Sequence, residues 1–90
     1  MSYRRIGNSI LYEENQKRLG AIEWINQRNT MIITHTVVSP RMRGQGIARK
    51  LLEEAVLVAE AENLSIKPLC TYAAKYLDQI PGGKERHVSS

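Results

Sequence analysis

A strand, a glycine-rich turn and a long amphipathic helix follow one another in the middle of the chain and constrain its fold most. Residues 30–39 read T-M-I-I-T-H-T-V-V-S, and this density of β-branched side chains favours a strand. Pro40 ends that strand because it has no N–H to donate. Beyond the turn, apolar residues at helical spacing form one stripe: Ile47, Ala48, Leu51, Leu52, Ala55, Val58 and Ala59. A helix that starts directly after a strand presents its first backbone N–H groups to an anion.

The residues before this stretch predict a meander of short antiparallel strands. Residues 6–13 are weakly strand-like, and residues 19–25 alternate between two faces. The polar residues 13–18 and 26–29 predict turns at the ends of these segments. Together with residues 30–39 they make three strands, and the turns of a few residues leave no room for helices among them.

The residues after the long helix predict one more strand and one more helix. Residues 64–70 are strand-like, and Pro68 confines that strand to the edge of a sheet. Thr71 can cap a short helix over residues 72–77. The predicted order is therefore β-β-β-α-β-α. It describes an α+β domain with a mixed sheet, one long amphipathic helix and a short C-terminal helix.

Length and composition bound the class of protein. A chain of 90 residues favours a single domain, here residues 1–80, and the polar residues 81–90 predict a flexible tail. The apolar runs are far shorter than the roughly 20 residues of a membrane span. Cys70 is the single cysteine and forms no internal disulfide, so a reducing, cytoplasmic location is expected. The sequence shows no residue set for a metal.

The charge of the chain indicates an anionic partner. The net charge is +4 at pH 7, and four cations lie beside the glycine turn: Arg41, Arg43, Arg49 and Lys50. Nucleic acid is one such partner. However, the sequence lacks the interleaved aromatic residues of single-strand binders and any helix-turn-helix pattern. A phosphorylated small molecule therefore fits the basic cluster better than nucleic acid does.

The turn is also the part of the chain with a family resemblance. It reads Arg43-Gly44-Gln45-Gly46-Ile47-Ala48 and matches neither the Rossmann fingerprint nor the Walker loop. Its pattern, [QR]-x-x-G-x-[GA] between a strand and an amphipathic helix, resembles the acetyl-CoA-binding motif of the GNAT N-acetyltransferase superfamily. The later run P-L-C-T-Y-A-A-K-Y-L is similar to the small, single-domain GNAT-like branch. The resemblance covers about residues 6–77.

This resemblance implies where acetyl-CoA, as acyl donor, would bind. The pyrophosphate would lie on the amides of the turn, which are those of Arg43, Gly44, Gln45, Gly46, Ile47 and Ala48. The pantetheine arm would pair like an added strand with the backbone of Val37, Val38 and Ser39. A splay between the strand that ends at Ser39 and the strand that ends at Cys70 would admit this arm. Arg41 or Arg49 would meet the 3′-phosphate of the adenosine.

The resemblance also places Cys70 beside the thioester. As a thiolate, Cys70 would accept the acetyl group before an amine does, or it would act as acid or base in a direct transfer. Tyr76 is the candidate acid that protonates the leaving coenzyme. Each residue also has a purely structural interpretation, Cys70 as a small buried hydrophobe and Tyr76 as a packing residue.

His35 is the first candidate for the general base. Strand alternation places it on one face with Met31, Ile33 and Val37, and its ordinary pKa near 6.5 suits proton removal from an amine. Glu23 on the neighbouring strand is the second candidate. The structural alternatives are a core histidine with satisfied hydrogen bonds and a glutamate that faces solvent.

Two functions stay open on this sequence. The first is an N-acetyltransferase whose amine acceptor is a small molecule or a protein. The second is a non-catalytic protein that binds or senses acetyl-CoA. Typical relatives have two helices after their first strand that help to form the acceptor site, and this chain has no room for them, which favours the second function.

Overall fold

The computed structural model describes residues 2–88 and places them in one mixed sheet, with α1 and α2 packed on one face. Within these residues the strands are β1 (Ser2–Ile6), β2 (Ser9–Glu14), β3 (Lys17–Gln27), β4 (Thr30–Val38) and β5 (Ser65–Pro68). The helices are α1 (Ile47–Ala61), α2 (Thr71–Tyr76) and α3 (Gly83–Arg86). The strands stand in the order β1-β2-β3-β4-β5; the first four are antiparallel, and β5 is parallel to β4. The predicted α+β class with a mixed sheet is confirmed.

The sequence misses the first strand of the sheet, because the predicted strand over residues 6–13 corresponds to β2 and shares only Ile6 with β1. The sequence predicts a single strand over residues 6–13, whereas β1 ends at Ile6 and β2 starts at Ser9. Gly7 turns the chain with a φ of 58°, a conformation that glycine adopts without steric penalty. The order within the described residues is therefore β-β-β-β-α-β-α-α, so the predicted β-β-β-α-β-α lacks the first strand and the last helix.

The core lies between the sheet and α1. Ile22, Met31 and Ile33 are fully buried on the face of the sheet that α1 covers. The buried side chains of α1 are Ile47, Leu51, Leu52, Ala55, Val56 and Ala59. This list corrects the predicted stripe, because Val56 is buried while the predicted Ala48 and Val58 are only partly so. Three later residues join the same cluster and place α2 beside α1: Ala73, Leu77 and Ile80.

A β-bulge in β4 changes which side chains face α1. Glu23 pairs with His35, but the next residue of β3 pairs with Ile33, so Thr34 is an extra residue on β4. Because strand side chains alternate with a period of two, one extra residue moves the following side chains to the other face. His35 and Val37 are consequently exposed. The prediction that His35 shares a face with the buried Ile33 is wrong for this reason.

The C-terminal segment folds back on the outer edge of β5. After α3, His87 forms a parallel bridge with Ile66, and the Val88 N–H donates to the Ile66 carbonyl oxygen over 2.9 Å. A strand edge offers unpaired backbone groups, and these residues satisfy some of them. The sequence predicts a flexible tail over residues 81–90, so α3 and this bridge correct that prediction as far as residue 88. Residues 89 and 90 lie outside the described part, and the domain boundary at residue 80 stays a prediction.

Candidate functional site

A cavity of about 450 Å³ lies where β4, the glycine turn, the start of α1 and α2 meet. From β4 it is lined by Thr36, Val37 and Val38. From the turn and α1 it is lined by Met42, Arg43, Gly44, Gly46, Ile47, Ala48 and Arg49. α2 contributes Tyr72. Most of the predicted cofactor-binding residues therefore line one cavity, whereas Ser39, Arg41 and Gln45 lie outside its lining.

The start of α1 leaves backbone N–H groups for a ligand. Gly46 stands at the N-cap in the left-handed conformation, with a φ of 78°. A glycine cannot supply the side-chain acceptor that caps many helices, so the N–H groups of Ile47 and Ala48 are left for an external acceptor. The first turn of α1 carries only apolar and basic side chains. Its backbone and its charge therefore both favour an anion.

β5 pairs with β4 along its whole length, but β4 extends beyond the end of β5. Their register ends where Ile33 stands opposite Pro68. The N–H groups of Leu69 and Cys70 both donate to the Ile33 carbonyl oxygen, over 3.0 and 3.1 Å. Beyond this point β4 continues to Val38, while the segment after β5 turns into α2. The sequence predicts a splay of two strands, one of which runs to Cys70, whereas β5 ends at Pro68. The edge of β4 beyond Ile33 is therefore left without β5 beside the cavity, and an extended ligand could pair with it there.

Cys70 lies at the opening between these strands. Its sulfur accepts a hydrogen bond from the Ala73 N–H over 3.3 Å, so Cys70 caps α2 and the prediction that Thr71 does so is wrong. Thr36 Oγ1 on β4 lies 3.3 Å from the same sulfur. Because Thr36 also lines the cavity, Cys70 is separated from the cavity by one side chain. No pattern in the sequence points to Thr36, since the orientation of its side chain depends on the bulge.

The two tyrosines of α2 lie side by side, with ring centroids 4.7 Å apart. Tyr72 lines the cavity, whereas Tyr76, the predicted acid, is outside its lining. Burial raises the pKa of Tyr72, and the neighbouring Tyr76 adds to this effect. A raised pKa keeps the Tyr72 hydroxyl protonated at neutral pH, as a proton donor must be. The i,i+4 spacing of the two tyrosines is the sequence signal that makes Tyr72 an equal candidate.

His35 and Glu23 are brought together, but away from the cavity. They are partners across β4 and β3, and His35 Nδ1 lies 3.6 Å from Glu23 Oε1. Their side chains are 68% and 52% exposed, so solvent screens the electrostatic contact and leaves it weak. The Thr34 hydroxyl lies 3.1 Å from the same histidine nitrogen. Neither candidate base lines the cavity, and the role of His35 stays a prediction.

Two of the four cations beside the turn are neutralised along α1. Arg49 Nε lies 3.1 Å from Glu53, and Lys50 Nζ lies 3.3 Å from Glu54. Among the residues that the structure describes, the ion pairs do not involve Arg41 or Arg43. The positive charge that a ligand meets is thus concentrated at the turn rather than spread along the helix, a distribution that favours a compact anionic group over a nucleic-acid backbone.

Two further features are absent from residues 2–88. In this range, no group of three or more His, Cys, Asp or Glu side chains could hold a metal ion. None of the helices there is both long and apolar enough to cross a membrane.

A mixed sheet in which β4 extends past its parallel neighbour, beside a glycine turn and a helix start, defines a class of α+β proteins with an open strand edge next to free helix N–H groups. Within that class, residues 9–85 match the family described as GCN5-related N-acetyl-transferase, and the chain belongs to this family. A search of curated proteins finds no sequence that matches this chain.

Solved structures agree with this family. A GCN5-like protein from Staphylococcus aureus, solved by NMR, aligns with a TM-score of 0.79 at 25% identity, over 99% of this chain and 89% of its own. A Clostridium acetobutylicum protein in complex with acetyl-CoA aligns with a TM-score of 0.61 at 25% identity, over 76% of this chain and 55% of its own.

A more distant match shows the fold alone. N-acetylglutamate synthase from Neisseria gonorrhoeae, complexed with coenzyme A and N-acetyl-glutamate, aligns with a TM-score of 0.68 at 17% identity. The alignment covers 80% of this chain and 18% of the synthase, so the chain corresponds to a small part of that enzyme. The synthase structure contains coenzyme A, and the Clostridium acetobutylicum structure contains acetyl-CoA.

Proposed function

We propose that this protein binds acetyl-CoA in the cavity and transfers its acetyl group to an amine. The observation that carries the proposal is the edge of β4 that extends past β5 directly beside the cavity and the start of α1. Acetyl-CoA is a long molecule with an anionic pyrophosphate in its middle and a thioester at its end. Such a ligand needs an anion site and a free strand edge next to each other, and this surface has both.

The residues at the site fit this donor. A Cβ added at Gly46 would meet nothing within 4 Å, so a pyrophosphate has room to approach the backbone. Arg43 lines the cavity and can bond to phosphate oxygens. Val37 and Val38 lie along the opening, where their backbone would pair with the pantetheine arm. Ser39 is the weaker candidate, because its N–H already donates to the Leu19 carbonyl oxygen over 2.8 Å.

Cys70 is the nucleophile in one version of the reaction. Its thiolate attacks the acetyl carbonyl carbon and forms a C–S bond, while the bond from that carbon to the coenzyme sulfur breaks. Tyr72 gives its proton to the departing sulfur. An acceptor amine then attacks the acetylated Cys70, the C–N bond forms, the Cys70 sulfur leaves, and the proton of the amine restores Tyr72. In the direct version the amine attacks acetyl-CoA, and Cys70 serves only as acid or base.

A second function, binding or sensing acetyl-CoA without transfer, is favoured by the open acceptor side. Two-residue turns, Asn15–Gln16 and Arg28–Asn29, join the central strands, so helices do not intervene between β2 and β4 within the described chain. His35, the candidate base, is 68% exposed. Both features leave a small amine with little surface to hold it.

One experiment in two stages tests both functions. Calorimetric titration with acetyl-CoA first measures binding, and turnover is then measured with a panel of amines and lysine-containing peptides. Saturable binding with turnover supports the transferase. Saturable binding without turnover on any acceptor supports the sensor, and a titration that shows no binding of acetyl-CoA refutes both.

A further inference from the structure

The contact between Thr36 and Cys70 closes the opening between β4 and β5 on its inner side. The two strands stop pairing at Ile33. The next residue of β4 whose side chain reaches the cavity is Thr36. Its Oγ1 lies 3.3 Å from Sγ of Cys70, which follows β5. The opening is therefore bridged by two side chains a short way beyond the point where the strands part.

The Cys70 side of this contact is fixed by two hydrogen bonds. The Cys70 N–H donates to the Ile33 carbonyl oxygen, and its sulfur accepts from the N–H of Ala73, which is fully buried. Behind the contact, Ile33 is also fully buried. A packed interior gives way little to an added methylene group, so the space beyond the contact is not available to a longer chain.

A ligand that pairs with β4 would reach this contact with its far end. From the turn, an extended molecule along the strand edge passes Val38, then Val37, and then Thr36, at about 3.3 Å per residue. If its pyrophosphate lies at the start of α1, its thioester lies toward Thr36. We propose that the Thr36–Cys70 contact restricts the acyl group to the size of acetyl, which makes Thr36 a specificity-determining residue. This inference rests on the proposed binding of acetyl-CoA.

The test compares acetyl-CoA with butanoyl-CoA by calorimetric titration of the full chain, with free coenzyme A as the reference in every variant. Butanoyl has two methylene groups more than acetyl, and one that does not fit a pocket already costs about tenfold or more in discrimination. The unmodified protein is therefore expected to prefer acetyl-CoA by at least about tenfold. Thr36→Ala removes the hydroxyl and the methyl group and is expected to bring this ratio close to one. Thr36→Val keeps the volume and is expected to preserve the preference.

The outcomes separate this inference from the function on which it rests. If the unmodified protein binds both acyl-CoA molecules equally well, or if Thr36→Ala keeps the full preference, the restriction is refuted while acetyl-CoA binding stands. If Thr36→Val loses the preference as well, the hydroxyl rather than the volume is responsible, and the proposed restriction by size is wrong. Absence of acetyl-CoA binding refutes both. Cys70→Ala opens the same contact from the other side and is expected to relax the preference even if Thr36→Ala does not fold.

Discussion

The Lys50 N–H donates to the Gly46 carbonyl oxygen over 3.0 Å, and this bond is the first of α1. The N–H groups before Lys50 in the helix have no carbonyl one turn earlier to receive them. They stand beside the cavity that Ile47 and Ala48 line. The proposed anion site therefore consists largely of backbone, and a substitution at Gly46 weakens it by occupying the space or by adding negative charge.

Gly46→Glu is expected to weaken acetyl-CoA binding by at least about a hundredfold. The new carboxylate would stand where the pyrophosphate is proposed to lie, and like charges in contact cost several kcal/mol. Calorimetric titration measures the loss.

Gly7→Glu is the matched control for this change. Gly7 also has a positive φ, 58° against 78°, and an added Cβ would meet nothing within 4 Å at either position. Both variants should lose about 1–2 kcal/mol of stability from the backbone conformation, but only Gly46→Glu should lose binding. Equal affinities in the two variants would place the pyrophosphate elsewhere.

Cys70 is expected to carry an acetyl group after incubation with acetyl-CoA if the two-step reaction operates. Intact-mass measurement should show one acetyl adduct, and peptide analysis should place it on Cys70. Cys70→Ser keeps an acceptor for the Ala73 N–H and so preserves the cap of α2, but it lacks the thiolate. It should show no adduct. Full turnover in both Cys70→Ser and Cys70→Ala would remove Cys70 from the mechanism.

Tyr72→Phe is expected to reduce turnover by about 10²–10⁴-fold, the usual loss when a general acid is removed. Burial raises the pKa of Tyr72 above its ordinary value of about 10. Turnover that depends on its proton should therefore fall at a higher pH than it would with a tyrosine of ordinary pKa. Tyr76→Phe is the control, because Tyr76 lies outside the lining of the cavity. An unchanged rate in Tyr72→Phe, with a loss in Tyr76→Phe, would return the role to the residue that the sequence predicts.

Leu51→Ala is expected to lower the free energy of unfolding by about 2–5 kcal/mol, because the side chain is fully buried against the sheet. Leu57→Ala on the same helix should change it by no more than about 0.5 kcal/mol, since Leu57 is 55% exposed. Urea denaturation of both variants measures the difference. Similar losses of unfolding free energy in the two variants would contradict the assignment of Leu51 to the buried face of α1 and of Leu57 to its exposed face.

Local patterns account for the parts of the fold that the sequence predicts well. β4 has a high density of β-branched side chains, α1 has a strong helical period, and Pro40 and the glycines mark the boundary between them. β1 was missed because its residues are mostly exposed and carry no apolar alternation. The fold of the C-terminal segment was missed because its polar composition carries no period, although its backbone pairs with β5.

The residues at the cavity also fall into a group that the sequence predicts and a group that it does not. The turn from Arg43 to Ala48 is contiguous in the chain, so its motif and its place before a helix are visible in the sequence, and with them the family and the acyl donor. Thr36 and Cys70 are 34 residues apart, and their contact exists only because β4 and β5 lie side by side. The bulge at Thr34 turns Thr36 toward the cavity and His35 away from it. The sequence by itself determined the proposed anion site, because local backbone geometry makes it. The tertiary structure alone decided which side chains meet at the proposed thioester end, because strand pairing and the extra residue of the bulge set their directions.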